Sequence, residues 1–245
     1  MRHCLALLLC SAVLAGCASA PQDPSGIWIN QAAIEAAGSS GKLRESLLAY
    51  GPNLEWRLDL PAGRADSSNG FELDEGRLVA EPAKNHWHVD YYGDYRENLR
   101  LDGDQLIQDA SANLPEQRFS RPAKPAAAGA PPGSSFEQAL YGAYLGGTWK
   151  IRSGPGEGGL VLFHPDGSLA GLPGADRYAL CLAGDCAAMS GEYDSLWLQQ
   201  GAQGAPWMFT RDGGTLEIFE PINRASHDEM PEYTPGPRRW LLERE

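Results

Sequence analysis

The stretch Trp207-Met208-Phe209-Thr210-Arg211-Asp212-Gly213-Gly214-Thr215-Leu216-Glu217-Ile218-Phe219 decides the fold class. Two short strand-like runs, 207–210 and 215–219, flank an Asp-Gly turn, which is the pattern of a hairpin closed by a tight turn. Working outward, further short runs of the same kind fall at 148–151, 160–163, 178–182, 196–199 and 239–242, separated by turn residues such as Pro165-Asp166-Gly167. Many short strands at this spacing predict a mainly β chain, folded as antiparallel barrels or sandwiches.

The first half repeats the second. Gly26-Ile27-Trp28 corresponds to Gly147-Thr148-Trp149, Phe71-Glu72-Leu73-Asp74-Glu75-Gly76-Arg77-Leu78 to Phe163-His164-Pro165-Asp166-Gly167-Ser168-Leu169, and Leu99-Arg100-Leu101-Asp102-Gly103-Asp104-Gln105-Leu106 to Phe209–Leu216. Between the halves, residues 121–135 read RPAKPAAAGAPPGSS, a Pro/Ala/Gly stretch that buries little and behaves as a semi-stiff linker. The expected organisation is a β-rich domain over 25–121, a linker over 122–135 and a second β-rich domain over 136–245. One short helix is expected in each domain. Residues 42–50 carry Leu43, Leu47 and Leu48 on one side, and Phe136, Leu140, Ala143 and Tyr144 form a face behind a capping box at Ser135 and Gln138.

Each half opens on Gly-x-Trp and carries an arginine near its end, Arg118 or Arg121 in the first and Arg238, Arg239 or Arg244 in the second. These features resemble lipocalin-like and META-type small β-barrels. In lipocalins the tryptophan lies against the arginine at the closed end of the barrel, a contact that cation–π attraction favours. The resemblance implies signature pairs of Trp28 with Arg121 and of Trp149 with Arg239.

At the start of the chain, Arg2 precedes an apolar run from Leu5 to Gly16, twelve residues against the roughly 20 that a membrane-spanning helix needs. The run ends Leu14-Ala15-Gly16-Cys17 and resembles the lipobox of bacterial lipoproteins. The resemblance implies a signal peptide over 1–16, lipidation at Cys17, a tether over 17–24 and, because Ala18 follows the cysteine, residence in the outer membrane on its periplasmic side. Cys181 and Cys186 are then the only pair left in an oxidising compartment. They read as a disulfide across the turn-forming Leu-Ala-Gly-Asp between them, since the spacing fits no redox or zinc motif.

Composition removes whole classes of function. Lys plus Arg is 20 against 32 Asp plus Glu, a net charge of −12, so a nucleic-acid partner is excluded for want of a basic face. Gly154-Pro155-Gly156-Glu157-Gly158-Gly159 fits G-x-G-x-x-G literally but runs into a strand rather than a helix, so it is a hairpin loop and not a phosphate cradle. No G-x-S-x-G nucleophile elbow is present, and Asp102, Asp104 and Asp109 are too irregular for a calcium loop. The sharpest chemical candidate is Asn85-His86-Trp87-His88-Val89-Asp90. Strand alternation puts His86, His88 and Asp90 on one face, where they could hold a zinc ion for a hydrolase. The same alternation is explained by a buried apolar face and a solvated polar one.

The expectation is therefore a non-catalytic outer-membrane lipoprotein without a cofactor, binding a protein partner or a small apolar ligand. The alternatives are a metal-dependent periplasmic hydrolase using His86, His88 and Asp90, and an immunity-type lipoprotein that neutralises a toxin. Of the aromatic residues, Tyr91, Tyr92, Tyr95, Trp197, Trp207 and Trp240 are candidates for core, or for contact anchors where exposed.

Overall fold

In the computed structural model, residues 22–245 are described, with the exception of positions 94 and 113. Alternating inward apolar and outward polar residues build two eight-stranded antiparallel sheets. The first runs in chain order through β1 (Gly26–Ile29), β2 (Glu55–Asp59), β3 (Arg64–Ser68), β4 (Leu73–Ala80), β5 (His86–Asp90), β6 (Arg96–Asp102), β7 (Gln105–Gln108) and β8 (Gln117–Phe119). Its ends meet where Ile29 and Ser120 exchange backbone hydrogen bonds of 2.8 and 2.9 Å.

The second sheet comprises β9 (Gly147–Ser153), β10 (Leu160–Phe163), β11 (Leu169–Ala170), β12 (Arg177–Leu180), β13 (Ser195–Gln200), β14 (Gln203–Asp212), β15 (Thr215–Asn223) and β16 (Tyr233–Arg244). Strand β16 pairs with β9, and the ring is completed where Ser168 bridges Arg177 beside β11 and β12. Both sheets are thus up-and-down meanders curled nearly into barrels, which removes the open edges of a flat sheet.

Two of the three sequence repeats are equivalent in this architecture. Gly26 and Gly147 share φ of 113° at the first strand of each meander. The β6–β7 and β14–β15 hairpins are both two-residue loops closed by Asp102 opposite Gln105 and Asp212 opposite Thr215. Gly103 (φ 63°) and Gly213 (φ 53°) occupy the first central position, where a II′ turn demands glycine. The third match is corrected. Phe71–Leu78 runs along β4, whereas Phe163–Leu169 is the turn from β10 to β11, so the two share turn residues and not a place in the fold.

Pairing of β14 with β15 stops at Met208 opposite Phe219. Continuing that register would set Pro206 opposite Pro221, and neither has an N–H to donate. Beyond this point β15 and β16 leave the barrel as a two-stranded arm, paired as far as Asn223 and Tyr233.

Each half carries two helices rather than the expected one: α1 (Gln31–Ser40) and α2 (Leu43–Ala49) between β1 and β2, α3 (Ser134–Tyr144) before β9, and α4 (Gly184–Ser190) between β12 and β13. The α1 helix was hidden because its buried face is made of Ala33, Ile34 and Ala37, mostly small residues that give a faint periodic signal. Ser135 is not the N-cap of α3. That position is Gly133, and the first free amides of the helix are taken by Glu55 of β2, whose Oε2 accepts from Ser135 and Phe136 at 2.9 Å each.

The apolar residues form two cores. Trp28, Trp56, Leu58, Leu78, Trp87, Leu99 and Phe119 fill the first barrel alone. The second core joins the interior of the second barrel, including Trp149, Phe163 and Phe209, to Ile34, Leu43 and Leu47 from the first half. Helices α1 and α2 therefore belong to the first meander by sequence and to the second by packing. Asp194 fixes the docking by accepting from the Leu43 and Arg44 amides at 2.8 and 3.1 Å, and Arg44 donates back to the carbonyls of Ala187, Gly191 and Tyr193. Segment 122–135 is laid against the first barrel, with Arg57 donating to the Ala130 carbonyl at 3.0 Å.

Candidate functional site

The Gly-x-Trp strands bury a tryptophan in each barrel, at most 3 % exposed. Trp28 Nε1 donates to the Pro24 carbonyl at 2.8 Å, and the Arg121 guanidinium lies 3.7 Å from the ring centroid. Trp149 Nε1 donates to the Leu145 carbonyl at 2.7 Å, but the arginine over its ring, at 4.7 Å, is Arg244 and not Arg239. Register gives the reason. Trp240 and Leu242 point inward, Arg244 continues that face and stands opposite Trp149, while Arg239 faces outward. Burial lowers the pKa of both arginines, against the pull of Asp23 at Arg121 and together with the repulsion of Arg211 at Arg244.

On β5 the two histidines share the outer face but do not act together. His86 is exposed, with Nδ1 2.8 Å from the Lys84 carbonyl. His88 is buried, with Nδ1 against Glu81 and Nε2 3.4 Å from Asp90. Asp90 is also bound by Arg77 and Arg96, each at 2.9 Å, and its pKa is lowered by these contacts despite the opposing effect of burial. Among the described residues, no group of three His, Cys, Asp or Glu side chains converges as a metal site would require.

Cys181 and Cys186 are bonded to each other. The bond does not cross a hairpin turn. It ties the chain just past β12 to the first turn of α4, because Gly184 and Asp185 start a helix where a reversal was expected. Residues 154–159 form the loop from β9 into β10, as their lack of a following helix requires.

The largest apolar recess described lies between the barrels, a groove of about 750 Å³. Its walls come from Ile29 of β1, from Ala123, Pro125 and Ala127 of the connecting segment, from Ala139 and Gly142 of α3, and from Pro165 in the β10–β11 turn. Gln31, Lys124, Gln138, His164 and Asp166 supply its polar atoms. Hydrogen bonds from Ser168 hold the Asp166 carboxyl below its usual range, so this side of the groove carries a fixed negative charge at neutral pH. A recess of this size and lining is typical of sites for small apolar molecules. Sequence reading missed it because mostly small residues from four separated segments build it, and its Pro/Ala stretch has the composition of a spacer. No protein-family model matches the chain, and neither the curated proteins nor the solved structures give a match.

Proposed function

We propose that this chain is a non-catalytic lipoprotein, anchored through Cys17 in the outer membrane and facing the periplasm, whose inter-barrel groove binds a small apolar ligand. Cys17 and the signal peptide lie outside the described residues, so the anchor rests on the lipobox resemblance alone. Lipidation there would hold the chain firmly, because a single acyl chain anchors marginally and the several chains of a lipoprotein anchor stably. The observation that carries the binding reading is the groove itself, since the cores of both barrels are filled by protein side chains and the groove is not.

Titration with an apolar fluorophore such as N-phenyl-1-naphthylamine tests the reading. A Cβ at Gly142 would lie 3.5 Å from Pro165, so the leucine of Gly142→Leu projects into the groove. The variant should bind the probe about tenfold more weakly, a difference of about 1.4 kcal/mol, with its melting temperature unchanged or raised because glycine is a poor helix former. Equal binding by wild type and variant would remove the groove as the site. Capture of a protein that the variant no longer holds, with no probe binding by either, would replace the apolar ligand with a protein partner. In cells, Cys17→Ser should move the protein from the membrane to the soluble fraction.

A further inference from the structure

The two equivalent hairpins, β6–β7 and β14–β15, differ in what they carry at the turn end of the barrel. Leu101 pairs with Leu106 and Leu106 with Phe119, as Arg211 pairs with Leu216 and Leu216 with Leu242. This register aligns Leu101, Asp104 and Arg121 of the first barrel with Arg211, Gly214 and Arg244 of the second. A leucine therefore satisfies the architecture where the second barrel has a cation, and a bare glycine stands where the first has an acid. Gly214 is exposed, its carbonyl accepts from the Arg244 amide at 2.8 Å, and a Cβ on it would meet only the Arg244 Cβ, at 3.7 Å.

Both guanidiniums are held in place and left charged. Arg211 lies 4.8 Å from the centroid of the Tyr144 ring and donates Nη1 to the Gly38 carbonyl at 2.8 Å, while Arg244, over Trp149, donates Nη2 to the Tyr144 carbonyl at 3.0 Å. These carbonyls belong to the last turns of α1 and α3, where the helix dipole favours a cation. Among the described residues no carboxylate pairs with either arginine, and Arg211 Nε is buried without an acceptor. Strand alternation turns the adjoining Asp212 and Glu243 to the outer face, where Glu243 binds Arg152 at 2.6 Å, and Asp194 is engaged by the α2 amides. The charge that acts on Arg244 is Arg211, whereas Arg121 at the equivalent position feels Asp23. Two like charges this close repel in the folded chain, and an anion between them removes that cost.

We propose that Arg211 and Arg244, with Gly214 on the strand between them, form a site for the phosphate group of a phosphomonoester, either free or as a lipid headgroup. A phosphomonoester brings close to two negative charges at neutral pH and three strong acceptor oxygens. It thus matches two guanidinium forks, which bind phosphate through paired N–H groups. A carboxylate brings a single charge and answers only one of them. The missing side chain at Gly214 leaves room for the phosphate oxygens beside the Arg244 stem, and the exposed turn opens this place to solvent. The site shares no residue with the groove and does not rest on it.

The test uses the chain from residue 17 with Cys17→Ser, so that it carries no acyl groups. It is titrated by calorimetry with inorganic phosphate and with glycerol 3-phosphate, and floated with phosphatidylcholine vesicles that contain phosphatidic acid. Saturable binding of either free phosphate below about 10 mM supports the proposal with a soluble ligand, and binding of the vesicles alone supports it with a lipid headgroup. Arg211→Leu and Gly214→Asp install the residues that the first barrel carries at these positions. Each should weaken binding about tenfold or more while the cooperative melt is kept. Arg224→Leu removes a positive charge at the tip of the β15–β16 arm and should leave binding unchanged. The proposal is overturned by any of four results: no binding of any probe, undiminished binding by either Arg211→Leu or Gly214→Asp, an equal loss in Arg224→Leu, which would reduce the effect to net charge, or acetate binding as tightly as phosphate.

Discussion

Glu97 points into the first barrel, where it is buried and receives the hydroxyls of Tyr95 at 3.0 Å and Tyr91 at 3.4 Å. Burial pushes its pKa up, and the nearby Asp74 adds to the rise against the opposing effect of the two tyrosines. The Tyr95 hydroxyl is itself pushed up to about 12, first by burial and then by Glu97, so it remains a donor throughout the physiological range. A carboxyl with a raised folded pKa imposes no penalty below its unfolded value, near 4.3, and its full penalty above the folded one. Stability should therefore fall as pH rises through that window. Glu97→Gln keeps the shape and removes the charge, and should stabilise the protein by about 1 kcal/mol at pH 7.5 with little effect at pH 4. Thermal melts at the two pH values decide this, and an equal shift at both would mean that ionisation of Glu97 is not the cause. The arginines show what single residues concealed in the sequence. Gly-x-Trp was legible as a motif in both halves, but the choice between Arg239 and Arg244 depended on strand register, and a bulge between Leu241 and Leu242 disturbs that register in the pairing with β9.

Helix α4 couples the disulfide to the other barrel. Gly184 lies under the ring of Phe71, which projects from the β3–β4 turn of the first sheet, and the carbonyls of Ala187 and Gly191 at the far end of α4 hold Arg44 of α2. Cys181→Ala should lower unfolding free energy by about 2 kcal/mol, the chain-entropy value for so small a ring. It should also speed hydrogen exchange of the Leu43 and Arg44 amides, which depend on the same docking. Faster exchange confined to residues 181–190 would show that the bond steadies only its own loop. The strands of the second barrel were readable because period-two alternation survives in Leu196–Leu198 and Thr215–Phe219 whatever they pair with. Helices α1 and α4 were not, since one buries alanines and the other begins on Gly184-Asp185, both composed like turns. The groove was still less legible, because a recess is a property of how elements are spaced and leaves no periodic trace in any of them.

At the scale of the molecule, two meanders divide the sequence cleanly while their packing does not. The first core is complete within residues 22–121, but the second draws Ile34, Leu43 and Leu47 across the boundary. Expressed apart, the fragment 22–121 should keep its barrel and lose α1 and α2, and the fragment 122–245 should melt without cooperativity until the first fragment is added. Circular dichroism of each fragment alone and of the mixture measures this. Two independent cooperative melts that the mixture leaves unchanged would make the halves autonomous. The packing of α1 and α2 also has a consequence for the order of synthesis. Both helices are made early, yet the strands that cover them come later, and β9 must wait for β16 before its side of the ring closes. Non-local closures of this kind are slow, and the early half waits with apolar side chains uncovered. A chain truncated before residues 233–244 would leave one edge of β9 and one edge of β15 without a partner, take Arg244 from Trp149 and remove Trp240 and Leu242 from the core that Ile34 and Leu43 share some two hundred residues upstream. The final strand thus acts as a proofreading mark: folding quality at the start of the chain is certified only when its last strand has been delivered.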